Sequence, residues 1–409
     1  MQARVQWPPS CEWSLWPGGP LGTGASRITK GQSMTHSRRA KIARFPRSGL
    51  RIRLPAAAVA VAFSLLFHAE QIQAQPQAGQ WVVGADAVVD LWYHGLAISG
   101  IQTGAGMPLY DVGYRGRFVA ARAAAGADAT PMEAAAPEIL GRLRLDPAFE
   151  VLHFVPLYFP GVGTDQLIDA LRQVASSDDP IPVVRDPMVR FGATAVAGIL
   201  TTPDQRRALG RYLDLLDAER GSFYAEFART LHGQFQARAA ALQTRWNGEM
   251  AVALWPYLTR YSLERGRLTV SPTLGLDGRI LEGDRSNPWD NQMVVGWNPD
   301  LVEGADGALF ADLVSRSARE LCFPAVRRAM DSAGIDPATP SAGAEISGRA
   351  ATRCGDLLLD QYLPAYGPAY RRWATGAGAS SPSADPAVFA AAFPLEPGLE
   401  QALLEAVGR

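Results

Sequence analysis

From Trp81 onward the chain shows long stretches in which apolar residues return every three or four positions, broken by a few short runs of consecutive apolar residues. The first pattern marks one face of a helix and the second a buried strand, so a mostly helical α+β fold with a small antiparallel sheet is predicted. Leu213, Leu216, Phe223, Phe227, Leu231 and Phe235 form the clearest stripe. It predicts one or two long helices over 202–261, opened by Thr202-Pro203-Asp204 and interrupted near Asn247-Gly248 or Pro256. Thr130-Pro131-Met132-Glu133 is a capping box with proline at the first helical position, so a helix runs from there to about Leu145. Helical spacing also covers Asp111 to Ala125 and Asp165 to Ala175.

Three runs carry strand character. Phe149 to Phe159 is nearly all apolar, β-branched and aromatic, and its length favours a buried strand. Arg267 to Leu274 and Gln292 to Trp297 are joined by a turn-rich stretch and are expected to form a short antiparallel pair. After them comes Ala308 to Met330, read as one helix around which the chain is organised. A further helix from Glu345 to about Trp373, bent at Pro364 and Pro368, and a last one from Ala387 to Val407 complete the pattern.

The first 74 residues read differently. Residues 34–74 have a basic run, Arg38 to Arg53, then the apolar Leu54 to Ala69 and a small-residue cut site after Ala74, which is the layout of a signal peptide. Residues 1–33 lack periodicity and read as an upstream extension, with Met34 the expected initiator. The folded part is then divided into 75–180, a helical and apolar part; 181–375, a helical core with the strand pair and organising helix; and 376–409, a linker and terminal helix. The Pro- and Asp-rich Ser176 to Pro187 supplies the internal boundary. An exported protein, periplasmic or secreted, is expected.

Losing 10 basic and 2 acidic residues leaves 29 basic against 38 acidic, a net charge near −9. An acidic domain does not suit phosphate backbones, so nucleic acid is excluded as a partner class. Cys322 and Cys354 remain, and an oxidising compartment favours a disulfide between them.

The order of elements, long helices, strand pair, interior helix and another helix, resembles the catalytic core of zincin metallopeptidases of the gluzincin-like group. The stretch that corresponds to their HExxH motif is Arg319-Glu320-Leu321-Cys322-Phe323. In that family the two histidines bind zinc and the glutamate is the general base. Here Arg319 and Phe323 stand in the histidine places and only Glu320 survives. The resemblance implies a third ligand on the next helix, for which Glu345, Asp356 and Asp360 are the candidates. It also implies an emptied site: no metal, no cofactor, and Glu320 paired with Arg316, Arg319 or Arg327 at helical spacing.

The expected function is therefore binding without catalysis, to a peptide or cell-envelope partner, through Arg319, Glu320, Phe323 and Val294. An active hydrolase is the alternative, with a site assembled in space around His94 or His153; a structural envelope protein is another. His94, His153 and His232 are far apart in sequence and lack ligand spacing, and the first two sit in apolar surroundings that suit core histidines. Asp284, Asp290 and Asn291 do not have the spacing of a calcium loop and read as a solvated turn.

Overall fold

Side-chain caps start several of the helices, at Asp86, Thr130, Thr202, Thr339 and Asp385. The computed structural model describes residues 80–101, 107–177, 184–283, 291–298, 301, 306–337, 339–376 and 384–409. Residues 1–79, which include the stretch expected as a signal peptide, and Asp284 and Asp290 lie outside these. Asp86 Oδ1 accepts a hydrogen bond from Val88 N at 2.9 Å and opens α1, Ala87–Ile98. α2 is Tyr114–Ala124. The Thr130 capping box is formed, with Thr130 N donating to Glu133 Oε2 at 2.9 Å, and opens α3, Pro131–Leu145.

The run expected as a buried strand is helical instead. Asp146 caps a 3-10 helix, Pro147–His153, which leads into the short α4, Val155–Tyr158. Pro147 and Pro156 each sit in a first turn, where a missing N–H costs nothing. Burial on every side, which made the run look like a strand, is met by enclosing it between helices.

α5, Thr164–Ser176, and α6, Pro187–Ile199, follow. Leu171 and Val174 of α5 share one apolar core with Val189 and Val196 of α6, on either side of the expected boundary loop. The stripe at 202–261 is two long helices, α7, Pro203–Glu219, and α8, Tyr224–Arg245. They are parted at Gly221 as well as interrupted after Arg245, where a π-helical turn, Trp246–Met250, leads to α9, Ala251–Ala253, and α10, Trp255–Arg260.

Four strands make one sheet in the order β1-β2-β4-β3, with β1 Trp81–Gly84, β2 Gly266–Ser271, β3 Arg279–Leu281 and β4 Asn291–Gly296. The two expected strands are β2 and β4, but they pair in parallel, Leu268 beside Met293 and Thr269 beside Val294. The stretch 272–290 is long enough for the crossover that a parallel pair needs. The antiparallel partner of β4 is the short β3.

The sheet separates two apolar cores. Leu268, Val270, Met293 and Val295 face the core built by the C-terminal helices. Val294, on the opposite face, belongs to the core of α1 to α7. Asn247 closes the free edge of β1, its side chain bonding Trp81 N and O at 3.0 and 2.9 Å.

The organising helix breaks at Cys322 into α11, Asp306–Leu321, and α12, Phe323–Ser332. Pro324 lacks the N–H that a continuous helix requires. α13, Pro340–Tyr362, is followed by a 3-10 turn at Pro364 and by α14, Gly367–Thr375, which is the bend expected from the prolines. The terminal helix is likewise two, α15, Pro386–Ala392, and α16, Leu399–Val407, parted around Pro394, Pro397 and Gly398. Cys322 and Cys354 are disulfide-bonded with Cα atoms 5.9 Å apart, which fastens the α11–α12 junction to α13. Among the described residues no helix is long and apolar enough to cross a membrane.

Candidate functional site

Glu320 and Arg319 end α11 against the start of β3, and both are 1% exposed. Two buried charges survive only if each finds a partner. Arg319 Nη1 pairs with Glu320 Oε1 at 2.6 Å and with Asp277, while its Nε donates to Thr352 Oγ1 of α13 at 3.3 Å. Asp277 also pairs with Arg279 Nη1 at 2.7 Å, and Gly278 N donates to Glu320 Oε1 at 3.1 Å. The result is a network in which two arginines face two carboxyl groups. Of the partners expected for Glu320, Arg319 is the one realised; Arg316 pairs with Asp312 at 2.8 Å and Arg327 with Glu282.

Gly278 is required by this approach. A Cβ there would lie 2.6 Å from Val294 O and 2.8 Å from Glu320 Cγ. The carboxyl groups respond to their surroundings in opposite directions. Burial, with the charge of Asp277 beside it, pushes Glu320 up to about 7 against the pull of Arg319. Asp277 is held below the usual range, because Arg319 and Arg279 together outweigh the burial that would raise it. Glu320 Oε2 is buried without a hydrogen-bond partner among the described residues, which suits a carboxyl that holds its proton easily.

The residues in the zincin-like positions do not fit zinc. Arg319 brings a cation where a dication would sit, and the Phe323 ring, 5.4 Å from the Arg319 guanidinium carbon, has no donor atom. None of the three candidates for the third ligand is turned to this point. Glu345 pairs with Arg349 at 2.6 Å, and Asp356 and Asp360 both pair with Arg371. Thr352 is the α13 residue that reaches Arg319. Among the described residues no group of three His, Cys, Asp or Glu side chains is placed to hold a metal ion.

Val294, expected to lie along a bound peptide, is fully buried, and β4 is paired on both edges, with β2 and with β3. At Val294 itself β4 therefore offers no free edge for backbone pairing.

Among the described residues, each of the three histidines is tied into its own network. His94 Nδ1 is 2.8 Å from Tyr114 Oη and Nε2 is 2.9 Å from Glu219 Oε1, whose other oxygen accepts from Met132 N at 3.0 Å. A histidine between a hydroxyl and a carboxylate has the form of a proton relay. Yet His94 and Glu219 are wholly buried and Tyr114 is 1% exposed, so a substrate has no access. His153 Nδ1 is 2.7 Å from Tyr110 Oη, and burial lowers its pKa to about 3, which keeps it neutral. His232 Nε2 is hydrogen-bonded to the buried Asp90 of α1 and raised in pKa by that bond.

Asp277, Arg279 and Thr352 escaped the sequence-based selection. Asp277-Gly278-Arg279 reads as a turn in sequence, and its glycine was the signal of close packing. Asn291, considered for calcium, instead ties loops together, accepting from Gly283 N at 2.8 Å and donating to Ser262 O and Arg265 O at 3.0 and 2.8 Å. Compared with protein-family models, with curated proteins and with solved structures, the chain matches none.

Proposed function

We propose that this protein is an exported, non-catalytic relative of the zincin metallopeptidases, which binds a peptide or cell-envelope partner and does not cleave it. The observation that carries this is the buried guanidinium of Arg319. It stands in a histidine position of the motif, clamped between Asp277, Glu320 and Thr352, and provides the positive charge that a metal would bring. Glu320, bonded to Arg319 and to Gly278 N and only 1% exposed, is committed to that network and out of reach of a substrate. The disulfide supports the exported location, since such bonds persist in oxidising compartments. The strand available to a peptide is β3, which ends the sheet, since an edge strand is where backbone pairing can be extended.

The test restores the ligands. The chain, purified from an exporting host without chelator, is expected to hold no stoichiometric zinc. The combined variant Arg319→His, Phe323→His and Thr352→Glu is expected to take up about one zinc per chain by elemental analysis, because three donors then replace the guanidinium, the ring and the hydroxyl. One zinc per unaltered chain, or peptide cleavage abolished by Glu320→Gln, overturns the proposal. A folded triple variant that takes no zinc removes the zincin geometry from it.

A further inference from the structure

A depression of about 260 Å³ opens between α1 and the first half of α8, lined by none of the residues of the Arg319 network. Its floor is apolar, made by Leu91 of α1 with Ala225, Ala228 and the ring of Tyr224 from α8. Its polar side includes Thr164, Arg220, which is already paired with Asp165 and Asp217, and His232 and Arg229, which stand three apart on α8 and so share a face. The two are in different states. His232 is fixed, its Nε2 bonded to Asp90, whose side chain is 3% exposed, while its own ring is 22% exposed. Nδ1 has no protein partner among the described residues. Arg229 is exposed and makes no ion pair or hydrogen bond among the described residues.

We infer that this depression binds a small amphipathic carboxylate, with its head on Arg229 and the Nδ1–H of His232 and its apolar body on Leu91, Ala225 and Ala228. The volume is below that of pockets for drug-sized ligands, which restricts the occupant to a short-chain or single-ring acid. The two donors call for an anion, and the apolar floor favours a hydrocarbon body. Asp90 holds the imidazole in place and favours its protonated form. The other charged groups around His232 are already paired. Asp86, at the start of α1, faces Arg267 of β2 at 3.6 Å, and Arg220, at the turn before α8, pairs with Asp217 at 2.8 Å and with Asp165. This inference does not depend on the zincin-like reading, since it uses none of the residues of that network.

The test titrates the full chain with hexanoate and with hexanamide, following the His232 ring protons by NMR. Saturable binding of hexanoate in the millimolar range is expected, with hexanamide about tenfold weaker or worse. Arg229→Gln and His232→Gln should each weaken hexanoate by about tenfold. Arg229 is exposed, and a glutamine side chain in place of His232 can still bond Asp90, so both variants keep the fold. Binding should be strongest with His232 protonated and fall as pH rises through its raised pKa. Equal binding of acid and amide, undiminished binding in both variants, or no saturable binding overturns the inference.

Discussion

Glu320 carries opposite demands at one carboxyl group: burial asks it to keep a proton, and Arg319 at 2.6 Å asks it to give the proton up. Burial wins, so the folded chain holds this proton up to about pH 7, whereas the ordinary carboxyl releases it near 4.5. The native state then binds more protons than the unfolded one between these values, and this group's contribution to stability is full below 4.5 and lost as pH rises toward 7. A glutamine side chain has no proton to lose. The stability of Glu320→Gln relative to the unaltered chain should therefore rise by roughly 2–3 kcal/mol between pH 4.5 and pH 8, each pKa unit being worth about 1.4 kcal/mol. Urea unfolding of both chains at the two pH values reads this difference, and a constant difference would show that the Glu320 pKa is not raised. The comparison between chains matters, because His153, lowered to about 3, destabilises the fold in the other direction as pH falls below 6.5. At this scale Arg319 and Glu320 were legible as a pair from helical proximity, but Asp277 was not, since 42 positions separate it from Arg319 and nothing in the sequence brings them together.

Elements were legible where they carried their own start and stop signals. Thr130, Thr202 and the prolines at 364 and 368 placed caps and bends correctly, because capping is a local matter of side chain and backbone. Phe149 to Phe159 was misread because a short segment buried all round has no polar face to reveal its period. The parallel pairing of β2 and β4 was missed because pairing direction is set by the path of the intervening chain, not by the strands. The link that sequence did foresee is the disulfide between the α11–α12 junction and α13. It closes a loop of separation 32, so replacing both cysteines by alanine should cost roughly 3–4 kcal/mol in the chain-entropy account. A shift of the denaturant midpoint measures it; an unchanged midpoint would mean that packing around α11 and α13, not the bond, holds the junction.

At the largest scale the described residues form two apolar cores and one sheet, and the sheet serves both. Trp92 belongs to the first core and Trp246 to the second. Because β4 contributes Val294 to one and Met293 and Val295 to the other, neither core can open without disturbing a strand the other needs. Variants that retain either Trp92 or Trp246 as reporter should unfold with the same midpoint, in one transition. Separate midpoints would show that the two cores are independent. The expected division at residues 176–187 followed loop composition, whereas the cores are divided by a sheet that composition does not reveal.

The double allegiance of β4 also protects its alignment. A slip of one residue against β2 would send Val294 into the C-terminal core and Met293 and Val295 into the other, so that each interior receives the wrong number of side chains and Met293 meets a site shaped for Val294. A strand with one face in water pays for such an error on a single side. Here the mistake is penalised twice, so the alignment of this short sheet is proofread by both halves of the protein, and a substitution on one face of β4 is tolerated only if the opposite face keeps its hold.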